Sequence, residues 1–160
     1  MRKMTGGYVG RILEVDLTRE SIKTAQLNMD IVQHFVGGKG YAARLLWEHT
    51  KPRADPLSGD NIIIFATGPL TATSCPSTRM CIATKSPLTG TFNDSYVGGH
   101  FSAELKFAGY DFIEIKGASK RPSYLMIEND NVELRDASGM WGKDTFATED
   151  SIRAECGDES

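Results

Sequence analysis

RMCIATKSPLTGTFNDSYVGGHFSAELKFAGYD, residues Arg79–Asp111, entered through GPLTATSCPST at Gly68–Thr78, is the stretch around which the rest of the chain is read. One phrase occurs in it twice, GPLTAT at Gly68–Thr73 and SPLTGT at Ser86–Thr91, each with Pro where a turn needs its φ preset. Both copies follow strand-like runs: the uninterrupted apolar Asn61–Ala66 and Met80–Ala83, which read as strands covered on both faces. The ends of these two strands are therefore expected to form the floor of a site. Turn amides and the hydroxyls of Ser74, Ser77, Thr78, Thr84 and Thr89 make a donor-rich surface suited to oxyanions. Arg79 and Lys85 add positive charge on the strand between the turns, Lys85 reading equally as a structural cation or a phosphate neighbour. Gly98-Gly99 permits close backbone approach or positive φ, and Phe101–Ala108 has helical spacing. The same cluster also reads as ordinary loop.

Working outward, Gly7–Leu17 and Ser21–Leu27 alternate apolar and polar residues about a Thr-Arg-Glu turn and predict a β-hairpin. Asn28 caps a predicted helix over Met29–Val36, with Ile31, Val32, Phe35 and Val36 on one face and His34 as a partly exposed helix residue. Gly37–Gly40 is not a P-loop, since Gln33 stands in place of the first Gly and Gly40 in place of Ser or Thr. Nor is it a dinucleotide turn, because a helix and not a strand precedes it. It reads as a C-cap before a second helix, Tyr41–His49, whose Leu45, Leu46 and Trp47 are expected to bury. Beyond Asp111, Phe112–Lys116, Ser123–Glu128 and Val132–Arg135 predict an antiparallel meander. Trp141 is expected to plug the core, and Thr145–Cys156 reads as an amphipathic surface helix. Glu104 and Lys106 read as solvated or structural groups, and His49 and His100 have no ligand-type partner at close spacing. The fold class is α+β, a mainly antiparallel or mixed sheet with three or four short helices.

The 160 residues, 40% of them hydrophobic, suit one domain over 1–160 with a real core. No window approaches the roughly eighteen apolar residues of a membrane span, and MRKMTGGYVG has no apolar signal core. A net charge of −3 with interspersed signs argues against nucleic acid. Cys75, Cys81 and Cys156 form no CxxC pair, so neither a disulfide framework nor a zinc site is expected, and a reducing cytoplasm fits.

GPLTATSCPSTR, TKSPLTGT, GGHFSAELKFAGYD, RDASGMWGKDT, GGYVGRILEVDLT and VGGKGYAARLL, in that register over nearly the whole chain, resemble the N-terminal cofactor-binding domain of the aldehyde:ferredoxin oxidoreductase family. The resemblance implies a tungstopterin, tungsten (in some members molybdenum) on a bis-pyranopterin whose phosphates a magnesium ion bridges. It implies aldehyde oxidation to carboxylic acid, with electrons passing through a [4Fe-4S] cluster to ferredoxin. By the same resemblance Arg79 lies between pterin and cluster, Tyr96 (where other members often have Asn) offers its backbone carbonyl to magnesium, and Gly98 contacts the pterin. Ser95 and Gly99 fall beside these positions, and Lys39 and Gly40 lie in a glycine loop near the cofactor. The cluster's cysteines fall beyond the matched region, and the family draws its acid–base groups from later domains, so no catalytic residue is assigned. The chain is expected to be incomplete at its CGDES end and to work with the remaining domains or a partner chain. The alternative reading is a non-catalytic module that binds a pterin or phosphate ligand, or forms a homodimer through uncovered strand edges.

Overall fold

The computed structural model describes residues 6–157; the MRKMT start and the last three residues, part of the CGDES end, lie outside them. The alternating start forms β1 (Arg11–Asp16) and β2 (Ser21–Gln26), antiparallel with Arg11 opposite Gln26. The Asp16 carboxylate closes their turn by accepting the Thr18 and Arg19 amides at 3.1 and 3.0 Å. Asn28 caps α1 (Met29–Phe35), its side chain accepting from the Asp30 and Ile31 amides. α2 (Gly38–His49), β3 (Ile62–Ala66), β4 (Met80–Lys85) and β5 (Phe92–Val97) follow, then α3 (Phe101–Phe107) and β6 (Phe112–Lys116). β7 (Ser123–Glu128), β8 (Asn131–Asp136) and α4 (Thr145–Cys156) complete the described chain.

Six strands form one sheet in the order β2-β1-β6-β3-β4-β5, with β1 and β6 parallel and every other neighbour antiparallel. With four helices among the described residues, this is the mixed α+β class read from the sequence. Alternation along the central strands sends side chains to two faces, and both are covered. On one face Ile12, Ile62, Ile64, Ala66, Cys81, Ala83 and Phe112 pack under α1 and α2, and Tyr41 stacks on Phe112 with ring centroids 4.2 Å apart. On the other, Leu13, Val15, Met80 and Ile113 meet Leu105 of α3 and the inward side of the β7–β8 hairpin. No helix among the described residues is long and apolar enough to cross a membrane.

Several expectations are corrected. β6 does not join β7 and β8 in a meander; its FIEIK run is apolar enough to be buried at the sheet centre, between β1 and β3. FNDSYV, with no strand expected, is the edge strand β5, where one side of the ladder is open and polar residues are tolerated. α2 starts at Gly38, so the glycine run is its first turn, and the cap that ends α1 is Val36 at φ 61°. Trp47 and Trp141 are 82% and 76% exposed, neither one buried, and Phe35 and Val36 also face solvent.

Candidate functional site

Because β3 and β4 are antiparallel, the two Pro-centred turns lie at opposite ends of the sheet. The expected common floor does not exist. What assembles is one end only: the GPLTAT turn after β3, Arg79 before β4, Gly98-Gly99 after β5, and Gly37–Gly40 at the start of α2.

Each piece is held from below. The Gly38 amide donates to the Thr67 carbonyl at 2.8 Å, which ties α2 to the end of β3. A Cβ on Gly40 would stand 2.5 Å from the Phe35 carbonyl oxygen, so only glycine lets the two helices meet there. The turn itself is closed by the buried Thr71 hydroxyl, which accepts the Gly68 amide at 3.2 Å. Met80 pairs with Val97, which brings Arg79 and Gly98 to the same end of the β4–β5 ladder. Arg79 is exposed, and no hydrogen bond or ion pair holds its guanidinium among the described residues. Space is open within 4 Å of where a Cβ would stand on Gly98 and on Gly99, and Gly99 sits at φ 89°.

Beside this end, on the face of β5 toward α2, Asp94 links its own strand to that helix. It pairs with Lys39 Nζ of α2 at 3.0 Å, and the hydroxyl of Tyr96, two residues along the strand, lies close enough to feel its charge. The hydrogen bond to Asp94 raises the Lys39 pKa, and burial followed by the same carboxylate raises that of Tyr96. Cys81, directly opposite Tyr96, is pushed up to about 11 by burial, with Asp94 adding in the same direction. It is a neutral packing residue at physiological pH. Lys39 Nζ also stands 5.8 Å from the Phe92 ring centroid.

Of the residues singled out in the sequence, Arg79, Tyr96, Gly98, Gly99, Lys39 and Gly40 are thus brought to one end. Ser95 sits between Tyr96 and Asp94 on the strand and so faces the opposite side of the sheet. Lys85 ends β4 at the far end, where its Nζ donates to the Ala54 carbonyl at 2.6 Å. His49 and Glu114, 65 residues apart, meet at 2.7 Å, a pairing that close spacing in sequence does not reveal. Asp94 was missed for want of the β5 strand; the Phe-Asn-Asp-Ser-Tyr-Val alternation was the available signal.

The arrangement offers main-chain groups and one planar cation facing open space, with no carboxylate cluster of metal-ligating kind among the described residues. Such a donor set fits a large ligand bearing oxyanions and amide-like ring edges.

A family model described as the N-terminal domain of aldehyde ferredoxin oxidoreductase matches residues 12–160. The tungsten-containing aldehyde ferredoxin oxidoreductase of Pyrococcus abyssi is 46% identical over 154 residues, 96% of this chain and 25% of that protein. The aliphatic sulfonate oxidoreductase, WOR-like subunit, of Pyrococcus furiosus is 41% identical over 138 residues, 84% of this chain and 22% of its own length. Among solved structures, the active site complex BamBC of benzoyl coenzyme A reductase with 1,5-dienoyl-CoA superposes with a TM-score of 0.93 at 38% identity, covering 96% of this chain and 24% of that one. The chain spans about a quarter of the length of these relatives.

Proposed function

We propose, since the chain belongs to the aldehyde ferredoxin oxidoreductase family through its N-terminal domain, that it supplies the platform on which a tungstopterin rests in an enzyme oxidising aldehydes to carboxylic acids. The observation that carries this is the gathering of Arg79, Gly98-Gly99 and the Gly37–Gly40 turn at one end of the sheet, with open space beside Gly98 and Gly99. When bound, that group would supply the two-electron redox chemistry, its electrons leaving through an iron-sulfur cluster to ferredoxin.

This chain's own residues bind and orient. Arg79 offers a permanently charged planar donor set to the pterin and toward the cluster. Gly98 and Gly99 let the backbone approach closely, because a side chain at either would enter the ligand's space. The Tyr96 carbonyl, on an edge strand that leaves alternate carbonyls unpaired, is the group offered to a bridging magnesium. Lys39 and Gly40 border the same space from α2, whereas Ser95 turns to the other face of the sheet and Lys85, at the far end, holds the Ala54 carbonyl and takes no part. No residue here is assigned as acid or base; those groups, the cluster's ligands and the substrate pocket belong to the remaining domains or a partner chain. Relatives named for aldehydes, aliphatic sulfonates and benzoyl coenzyme A share this region, which supports reading it as common platform and not as substrate selector.

The test is elemental analysis for tungsten, molybdenum, iron and magnesium, with pterin fluorescence after oxidation, on the protein purified anaerobically from its native host. Tungsten or molybdenum with pterin is expected, and Arg79→Ala in the assembled enzyme should lower cofactor content or slow reduction of ferredoxin. Protein free of both metal and pterin overturns the platform reading; normal content and rate in the variant overturn the role of Arg79.

A further inference from the structure

Asp111 is fully buried at the corner between α3 and β6, and its partner Lys106 is buried with it, Nζ to Oδ1 at 2.8 Å, the two side chains 2% and 1% exposed. A buried ion pair is weak evidence for stability, because desolvation consumes much of the Coulombic gain. What this one organises is more informative. The Asp111 carboxylate accepts the amides of Val9 at 3.1 Å and Gly10 at 2.7 Å, and Lys106 Nζ donates to the Gly7 carbonyl at 2.6 Å. All three polar atoms at the heads of this pair, Asp111 Oδ1 and Oδ2 and Lys106 Nζ, therefore serve one strap, Gly7–Gly10.

The strap leads to the glycine turn. Between its clamped ends, Tyr8 donates its hydroxyl to the Val36 carbonyl at 2.8 Å. Val36 is a β-branched residue at φ 61° and ψ −76°, with the Gly37 amide bonded back to Phe35 at 2.8 Å. That is a γ-turn of the rare, strained sense, which persists only where the surroundings hold it. Next in line, Gly38 donates to the Thr67 carbonyl at 2.8 Å. Thr67 in turn gives both its amide, at 3.2 Å, and its hydroxyl, at 2.8 Å, to the carbonyl of Asp111. Gly7 fits only because it has no Cβ, which would stand 2.2 Å from the Pro69 carbonyl oxygen of the first Pro-centred turn. The path is closed: Asp111, strap, Tyr8, Val36, Gly38, Thr67, Asp111.

We propose that the Lys106–Asp111 pair is a positioning device, whose closed hydrogen-bond circuit through Tyr8 and Thr67 sets the place of the Gly37–Gly40 turn against the GPLTAT turn. It rests on the reading of this end as the cofactor platform only for its purpose; the coupling itself is a property of the chain. Tyr8 and Thr67 are positioning residues: they act on the turn through the Val36 carbonyl and the Gly38 amide.

The experiment is residue-resolved amide exchange by NMR on the 160-residue chain. Tyr8→Phe and Thr67→Val each remove one hydroxyl without changing shape, and each should speed exchange of the Gly38, Lys39 and Gly40 amides several-fold, about the effect of one lost hydrogen bond, and shift their resonances. β4 and β5 amides should be unmoved, and Thr67→Ser should restore the parent values. Lys106→Met should do the same more strongly; if it fails to fold, the two hydroxyl variants decide. Unchanged exchange at Gly38–Gly40 in both, or an equal rise across the whole sheet, overturns the proposal. Because this measurement needs no cofactor, a coupled but pterin-free chain would overturn the platform reading alone, and an uncoupled, pterin-loaded one the circuit alone.

Discussion

Gly40 has two opposing claims on it. In a helix, alanine is favoured over glycine by about 1 kcal/mol. Here the added Cβ would meet the Phe35 backbone oxygen at 2.5 Å, a fixed atom that no side-chain rotation relieves. The clash wins: Gly40→Ala is expected to lower stability by roughly 1–3 kcal/mol, read as an earlier urea midpoint at unchanged slope. A midpoint equal to or above that of the parent would show that α1 and α2 can part without cost. Lys39 beside it is held differently, by an exposed ion pair with Asp94, where water screens most of the attraction. Little of the fold's stability therefore depends on it.

At the scale of elements, the two copies of the Pro-Leu-Thr phrase are locally alike and globally separated. In the first, Thr71 accepts the Gly68 amide; in the second, Ser86 Oγ accepts the Leu88 and Thr89 amides at 3.2 and 3.3 Å. Removing either acceptor, by Thr71→Val or Ser86→Ala, should cost about 1 kcal/mol. Only Thr71→Val should also lower the pterin content of the assembled enzyme, since the Ser86 turn stands at the far end of the sheet. Equal loss of pterin in both variants would contradict the one-ended site. β5 shows the same dependence on neighbours: its Asp94, Tyr96 and Phe92 line up on the face toward α2 because they oppose Ala83, Cys81 and Lys85 across the ladder.

Over the whole molecule, the sheet is sealed on the α2 side by a core that contains two titratable neutral groups. Burial pushes the Cys81 thiol from 9 to about 11 and the Tyr41 hydroxyl from 10 to about 12. Both are acids whose proton the native state retains more tightly than the unfolded chain does. As pH rises above 9 the unfolded chain releases these protons first, so unfolding is increasingly favoured, until the native groups also ionise near 11 and 12. Stability to urea is therefore expected to fall from pH 9 toward 12, and Cys81→Ala to flatten the part between 9 and 11. A flat profile over that range in the parent would show that these groups are open to water in the native state. The opposite layer of the molecule has no such dependence on the two groups, since α3 and the β7–β8 hairpin cover the other face.

Sequence alone makes legible the elements whose signals are local: the β1–β2 hairpin from alternation, α1 from its Asn28 cap, β3 and β4 from apolar runs, α4 from its spacing. It also carried the family, because motifs such as GPLTATSCPSTR and GGHFSAELKFAGYD keep their residues in order along the chain. Whatever depends on which element lies beside which is set by the folded chain. Strand direction put the paired turns at opposite ends and Lys85 with the wrong one; neighbours β1 and β3 drew β6 out of the meander; an open ladder made a strand of Phe92–Val97. It also left Trp47 and Trp141 in water and joined Tyr8, Thr67, Lys106 and Asp111, up to 103 residues apart, into one circuit. The physical reason is the same throughout: turn chemistry, capping and periodicity act over a few residues, whereas register, burial and hydrogen-bond closure are set by partners distant in sequence.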